Sequence, residues 1–155
     1  MPRLNLPEFN FTFKNEGDKQ YIFDEVRKKY LILNPEEWVR QNFVKYLIQH
    51  KEYPASLIAL EMPFTQNKLD KRSDIVIYNK QGKAIVLVEC KAIQVALSQK
   101  VFDQAAGYNL LIKAELLIIT NGMSHYCCKP DYINQKWQFL NDIPSFAELN
   151  SIVVD

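Results

Sequence analysis

Ile85-Val-Leu-Val-Glu-Cys-Lys-Ala-Ile93 sets a glutamate and a lysine at the end of an otherwise apolar run. A strand sends alternate side chains to opposite faces, so Ile85, Leu87, Glu89 and Lys91 share one face and Val86, Val88, Cys90 and Ala92 the other. Both faces begin apolar, the pattern of a central strand covered on two sides. Glu89 and Lys91 therefore emerge at the strand's end beneath a covering layer. Taken alone, a Glu-x-Lys pair on a strand is more often a solvated and weak ion pair, so its neighbours decide its meaning.

The nearest neighbour in sequence is the strand Asp74 to Tyr78, joined to Ala84 to Lys91 by the short Asn79 to Lys83 turn with Gly82 in it. Antiparallel pairing across so short a turn brings the start of one strand beside the end of the next, so Asp74 lands near Glu89 and Lys91. Two partly buried carboxylates repel each other and lose solvation, which is costly unless a cation compensates. Oxygen donors of this kind suit Mg²⁺, with Mn²⁺ as a substitute.

Working outward, Asn34-Pro35-Glu36-Glu37 reads as a helix start: Asn34 as N-cap, Pro35 at the first helical position and Glu37 as the capping-box acid. The helix should run to about His50. Val39, Phe43 and Leu47 form its buried stripe, and Glu36 falls on that stripe while Glu37 lies to one side. Before it, Phe9, Phe11 and Phe13 alternate with polar residues, Asn15 to Asp18 supplies a turn, and Gln20 to Val26 reads as a second strand. This predicts an N-terminal β-hairpin that either braces an edge or forms a partner surface. Leu57 to Met62 is a further strand, Gln94 to Lys113 is helical with small residues at Ala96, Ala105, Ala106 and Gly107, and Leu116 to Thr120 is a buried strand ending at Asn121-Gly122. The tail, through Tyr126, Trp137 and Phe139, predicts an edge strand and a short helix. The order predicts a mixed α/β fold with helices flanking a central sheet. We expect one domain over residues 1–155: a hairpin extension (1–30), a core (31–130) and a C-terminal extension (131–155).

With 155 residues and 48% hydrophobic content, the chain has enough apolar surface for a sizeable core. The N-terminus has no apolar stretch resembling a signal segment, and no uncharged run nears the ~20 residues that span a bilayer, so a cytoplasmic, non-membrane protein is expected. Cys90, Cys127 and Cys128 lack the spacing of a disulfide framework or a zinc site, and His50 and His125 are expected as surface polar residues. A net charge of +1 excludes a broadly basic nucleic-acid binder. Any such contact must be local, and Arg27-Lys28-Lys29 and the Lys68 to Arg72 stretch are the two candidates, although solvated loops are the commoner use of such runs.

The pattern Ser73-Asp74 followed by Glu89-Cys90-Lys91 resembles the PD-(D/E)xK nuclease signature, with serine in place of the proline. Gln104-Ala105-Ala106-Gly107-Tyr108 matches the Gln-x-x-x-Tyr element of one nuclease branch, and its spacing puts Gln104 and Tyr108 on one helical face. Pro35 to Gln41, Arg72 to Tyr78, Val88 to Ala92 and Thr120-Asn121-Gly122 are similar to the N-terminal nuclease domain of type I restriction enzyme R subunits, over roughly residues 30 to 130. The resemblance implies a restriction-endonuclease-like α-β-β-β-α-β core. It also implies a Mg²⁺-dependent deoxyribonuclease in which Asp74 and Glu89 hold the metal with the Cys90 backbone carbonyl. Glu36 would contribute directly or through water, with Glu37 as the alternative ligand.

By the same resemblance Lys91 would orient or activate water or place positive charge on the transition state, and Gln104 and Tyr108 would steady the lysine or a neighbouring phosphate. R subunits continue into an ATP-driven motor. These residues hold no Gly-x-x-x-x-Gly-Lys-[Ser/Thr] loop, so a nuclease without a motor is expected, with DNA as partner and room for a homodimer or a separate helicase or specificity partner. The competing expectation is a catalytically silent nucleic-acid or protein interaction module that keeps the fold.

Overall fold

In the computed structural model, which describes residues 1–153, the apolar run forms β6 (Ala84–Cys90) in the interior of a six-stranded sheet. The sheet order is β4 (Ile58–Gln66), β5 (Leu69–Tyr78), β6, β7 (Leu116–Thr120), β8 (His125–Asp131) and β9 (Lys136–Leu140). β5 pairs antiparallel with β6, in the register Ile75 opposite Val88, and β7 lies parallel to β6 with Cys90 opposite Thr120. The parallel crossover is made by α2 (Gln99–Ile112), since parallel neighbours need a long connection.

The two faces of the sheet are covered as the apolar alternation requires from Val86 on, whereas Ile85, expected on the face of Leu87, packs with Val86 and Val88 because a bulge interrupts the ladder there. Ile75, Ile77, Val86, Val88 and Ile118 pack with Val39, Phe43 and Leu47 of α1 (Pro35–His50). Val76, Leu87, Leu117 and Ile119 pack with Ala105 of α2. Each such fully buried aliphatic side chain contributes roughly 1.5–3 kcal/mol relative to exposure. Asn34 caps α1 as expected, its Oδ1 accepting the Glu37 N–H at 2.7 Å. The helix α2 begins at Gln99 rather than Gln94, because Ser98 supplies the N-cap and a tight turn from Ala92 to Val95 occupies the residues before it. Among the described residues no helix is long and apolar enough to cross a membrane.

The N-terminal hairpin is present as β1 (Phe13–Glu16) and β2 (Lys19–Asp24), and a third strand, β3 (Lys29–Ile32), extends it. The second strand stops at Asp24 instead of Val26 because the Asp24 carboxylate accepts the N–H groups of Val26 and Arg27, closing a turn. Phe11 and Phe13 pack against the Trp38 ring, at 5.3 and 6.4 Å between centroids, which ties this small sheet to α1. The tail adds two strands, β8 and β9, and a short helix, α3 (Phe146–Val153).

The Asn121-Gly122 turn ends β7 and also seats the N-terminus. Gly122 has φ of +87°, its carbonyl accepts the Asn5 N–H at 2.8 Å, and an added Cβ would lie 2.8 Å from Leu4 Cδ2 and 3.2 Å from Val39 Cγ2. His125 is not the surface residue expected. Its Nε2 donates to the Asn5 carbonyl at 3.0 Å, which leaves Nδ1 to accept the Thr120 hydroxyl at 2.6 Å. Gly122→Ala therefore combines left-handed strain with overpacking and should cost about 2–3 kcal/mol, read as a lowered urea midpoint.

Candidate active site

The β5 and β6 register, carried one step past Ile75 and Val88, sets Asp74 opposite Glu89. Both side chains are buried, and the Asp74 Oδ2 accepts the Cys90 N–H at 2.9 Å. Lys91 follows directly, held by its own N–H donated to the Thr120 carbonyl at 2.8 Å, so the strand end that carries it is fixed by β7. Glu36, in the first turn of α1, is near enough to both Asp74 and Lys91 to feel their charges. Four residues singled out in the sequence, Glu36, Asp74, Glu89 and Lys91, are thus brought together from α1, β5 and β6.

The electrostatics of this group are those of an acidic cluster short of positive charge. Burial, then the Asp74 charge, pushes the Glu89 carboxyl up to about 9, with Lys91 opposing. Glu36 is raised by the same two causes, opposed by Arg40 and Lys91. The Glu89 Oε1 is buried with no hydrogen-bond partner among the described residues, an arrangement that costs about 1–3 kcal/mol. An acid raised in this way stays protonated in the folded chain over a range where the unfolded chain has ionised. Its contribution to stability is therefore lost as pH rises from about 4.5, the ordinary value, toward about 9. In the metal-free protein, urea midpoints measured across that window should fall less steeply for Glu89→Gln than for the parent.

The two glutamates of α1 are placed differently from the expectation. The Glu37 side chain is 7% exposed and the Glu36 side chain 47%. Beyond its capped N–H, the Glu37 carboxylate does not return to the N-cap: Oε1 accepts from Arg40 Nη1 and Oε2 from Gln41 Nε2, at 2.5 and 2.9 Å. Turned toward Arg40 and Gln41, Glu37 is the poorer choice of metal ligand, and Glu36 is the acid that faces Asp74 and Lys91. Gln104 is exposed, while the Tyr108 ring packs edge-on to Phe64 at 5.2 Å. Among the described residues neither makes a hydrogen bond to Lys91, so the expected support for the lysine is not formed.

Arg40 is the residue that sequence reasoning missed. Its guanidinium is buried, donating from Nη2 to Asp74 Oδ1 at 2.7 Å and to Glu36 Oε1 at 3.1 Å, and from Nη1 to Glu37. Burial works against its charge, but Glu37 and Asp74 outweigh that and hold it more firmly protonated than usual. Arg27 extends the network, donating to Asp24 at 2.7 Å and to Glu61 at 2.7 Å, while Gln41 joins Asp24 to Glu37. Glu61, between the paired residues Leu60 and Met62 of β4, has φ of +52°, a strain of about 1–3 kcal/mol held against the two guanidinium groups. The signal for Arg40 was in the sequence: it sits one helical turn after Glu36 and beside Phe43 on the stripe otherwise filled by Val39 and Leu47.

Among the described residues no three His, Cys, Asp or Glu side chains close into a metal cage. Mg²⁺ does not require one, since it is commonly held by one or two carboxylates and keeps several waters. Asp74 and Glu89 meet that requirement, and the unsatisfied Glu89 Oε1 is the atom a hard cation would satisfy.

A sequence-family profile described as type I restriction enzyme R protein N terminus matches residues 35–144, a span that includes all of these acids except Asp24, together with Arg40 and Lys91. No match is found among curated proteins. Among solved structures, a fragment of an HsdR subunit of a type I restriction enzyme from Vibrio vulnificus YJ016 is similar, with a TM-score of 0.58 and 22% identity over 78% of this chain and 25% of that one. At that identity the likeness speaks for the fold, which is restriction-endonuclease-like, and the chain spans about a quarter of that protein's length.

Proposed function

The chain belongs to the type I restriction enzyme R protein N-terminal family, and from that premise we propose that it is a divalent-metal-dependent nuclease that hydrolyses phosphodiester bonds in DNA. The observation that carries the reading is the unsatisfied Glu89 Oε1 beside Asp74 and Lys91: two buried carboxylates, one with an oxygen that no hydrogen bond satisfies, and an ammonium at the same strand end. Asp74 and Glu89 would hold Mg²⁺ or Mn²⁺ with the Cys90 carbonyl, and Glu36 would contribute directly or through water. The ion, when bound, supplies a water of lowered pKa and positive charge at the scissile phosphate.

The chain's own groups then have definite tasks. Asp74 is fixed on both oxygens, by Arg40 and by the Cys90 N–H, so its position does not depend on the ligand. Lys91 sits beside Glu36 and Glu89, where its ammonium orients the attacking water or meets negative charge developing in the transition state. Gln104, exposed on α2, and Tyr108 are left to contact a neighbouring phosphate. A homodimer, or a separate motor or specificity subunit, is compatible with this reading, and so is a cytoplasmic location.

One observation favours a different reading, a catalytically silent interaction module. Arg40 already supplies Asp74 and Glu36 with positive charge. Calorimetric titration with Mg²⁺ and Mn²⁺ separates the two readings: the nuclease should bind metal in a manner lost in Glu89→Gln, and the silent module should not. The decisive assay is cleavage of single-stranded DNA, duplex DNA and RNA with each metal.

A further inference from the structure

The carboxylate cluster must be approached by a polyanion, and the chain as a whole offers a net charge of only +1. Of the two basic stretches singled out in the sequence, Arg27-Lys28-Lys29 is compromised, because the Arg27 guanidinium is spent internally on Asp24 and Glu61. The other lies on an element whose sequence reads as a loop and whose structure is a hairpin. Residues 62–73 form this hairpin arm, the outer half of β4 and β5, paired from Met62 opposite Ser73 to Gln66 opposite Leu69. It turns at Asn67 and Lys68, both left-handed with φ of +53° and +64°.

The arm starts at the site itself. Its base, Met62 opposite Ser73, directly follows Glu61 and directly precedes Asp74 along the chain, and Arg72, opposite Pro63, is close enough to Glu61 to lower that acid's pKa. It is also anchored. Phe64 packs on Tyr108 and the Gln66 Nε2 donates to the Gly107 carbonyl at 3.3 Å, so one part of the arm is tied down on α2. Its cations are tied down by no such contact. Lys68, Lys71 and Arg72 form no ion pair and no side-chain hydrogen bond among the described residues, whereas Arg27, Arg40, Lys51 and Lys83 all do. Asp70 is the one carboxylate in the arm. Between the strands' outward groups runs a groove of about 620 Å³ lined by Pro63, Phe64, Thr65, Asp70, Lys71 and Arg72.

We infer that this arm is a DNA-backbone contact: Arg72 and Lys71, on its two faces, and Lys68, at its tip, take phosphates along the path leading away from the carboxylate site. The four residue steps from Met62 to Gln66 rise roughly 13 Å, the length of about four nucleotides along one strand at 3.4 Å each. The contact sets where the duplex lies and carries no base information, since lysine and arginine on phosphates position without reading sequence. It rests on the DNA-cleaving reading for its substrate, and is tested apart from cleavage.

The test is fluorescence anisotropy with a labelled duplex oligonucleotide, in EDTA and again with Ca²⁺, over a series of salt concentrations. The triple variant Lys68→Ala, Lys71→Ala, Arg72→Ala is compared with the parent and with a control triple, Lys19→Ala, Lys80→Ala, Lys136→Ala. The arm variant should bind about tenfold or more weakly, and the slope of log affinity against log salt should fall by about 2–3, near 0.9 for each phosphate left without its cation. The control should match the parent. Binding and slope unchanged in the arm variant overturn the inference while leaving the nuclease reading intact; so does an equal loss in the control. A parent that binds no DNA overturns it as well. Arm-dependent binding by a protein that cuts nothing would sustain the inference and defeat the nuclease reading.

Discussion

Lys91→Ala is expected to lower metal-dependent DNA cleavage by about 10²- to 10⁴-fold, the range for removing a positioned proton-transfer or charge-stabilising group. Its folding stability should stay close to the parent's. The side chain is half-exposed and makes no hydrogen bond among the described residues, and the bond that fixes this strand end is donated by the backbone N–H to Thr120. Asp74→Ala should abolish cleavage too. It is the less clean variant, because it strips the Cys90 N–H and Arg40 of a buried acceptor. Agreement between the two, with Lys91→Ala still folded by circular dichroism and thermal melting, identifies the site. Cleavage that persists in both would sink the nuclease assignment.

Arg40→Ala should be the most damaging of the single substitutions for stability, by about 3–5 kcal/mol, the usual result of stranding buried charge. Removing the guanidinium leaves Glu37 and Asp74, whose side chains are 7% and 11% exposed, without their closest cation. Arg40→Lys keeps a charge but loses the fork that spans Glu37, Glu36 and Asp74 at once, so it should recover only part of the loss. Arg40→Met combined with Glu37→Gln should recover more than Arg40→Met alone, because much of the cost lies in the unpaired carboxylate. Urea denaturation of the series decides the point. Equal stability of parent and Arg40→Ala would mean that water, not the guanidinium, satisfies these acids.

Much of this site could be read from residue order because it rests on short-range rules. The short turn of Asn79 to Lys83 suffices to bring Asp74 to the end of β6, and Lys91 follows from its distance of two residues from Glu89; strict pairing from Tyr78 and Ala84 would have met Val88, and the bulge beside Ile77 shifts the register by the one residue that sets Asp74 against Glu89. The capping of α1 by Asn34 is equally local. The orientation of Glu36 and Glu37 was not legible in the same way. A helical wheel separates the two by about 100° and sets Glu36 inward; the guanidinium groups from one turn along α1 and from the Asp24 turn bury Glu37 instead. The arm was missed for a related reason. Its run from Phe64 to Arg72 is polar enough to pass for a loop, whereas the structure pairs it as a hairpin and anchors it through Phe64 and Gln66 to α2.

Sequence by itself determined the central strand, its covered faces, and the gathering of Asp74, Glu89 and Lys91 at one strand end, because alternation and tight turns act over a few residues; the bulge beside Ile77 that sets Asp74 directly opposite Glu89 belongs to the structure. Only the tertiary structure decided that Arg27 and Arg40 thread the acids into one buried network. Those contacts join β2, α1, β4 and β5 across separations such as the 34 residues between Arg40 and Asp74, and no local pattern specifies which buried charge will meet which.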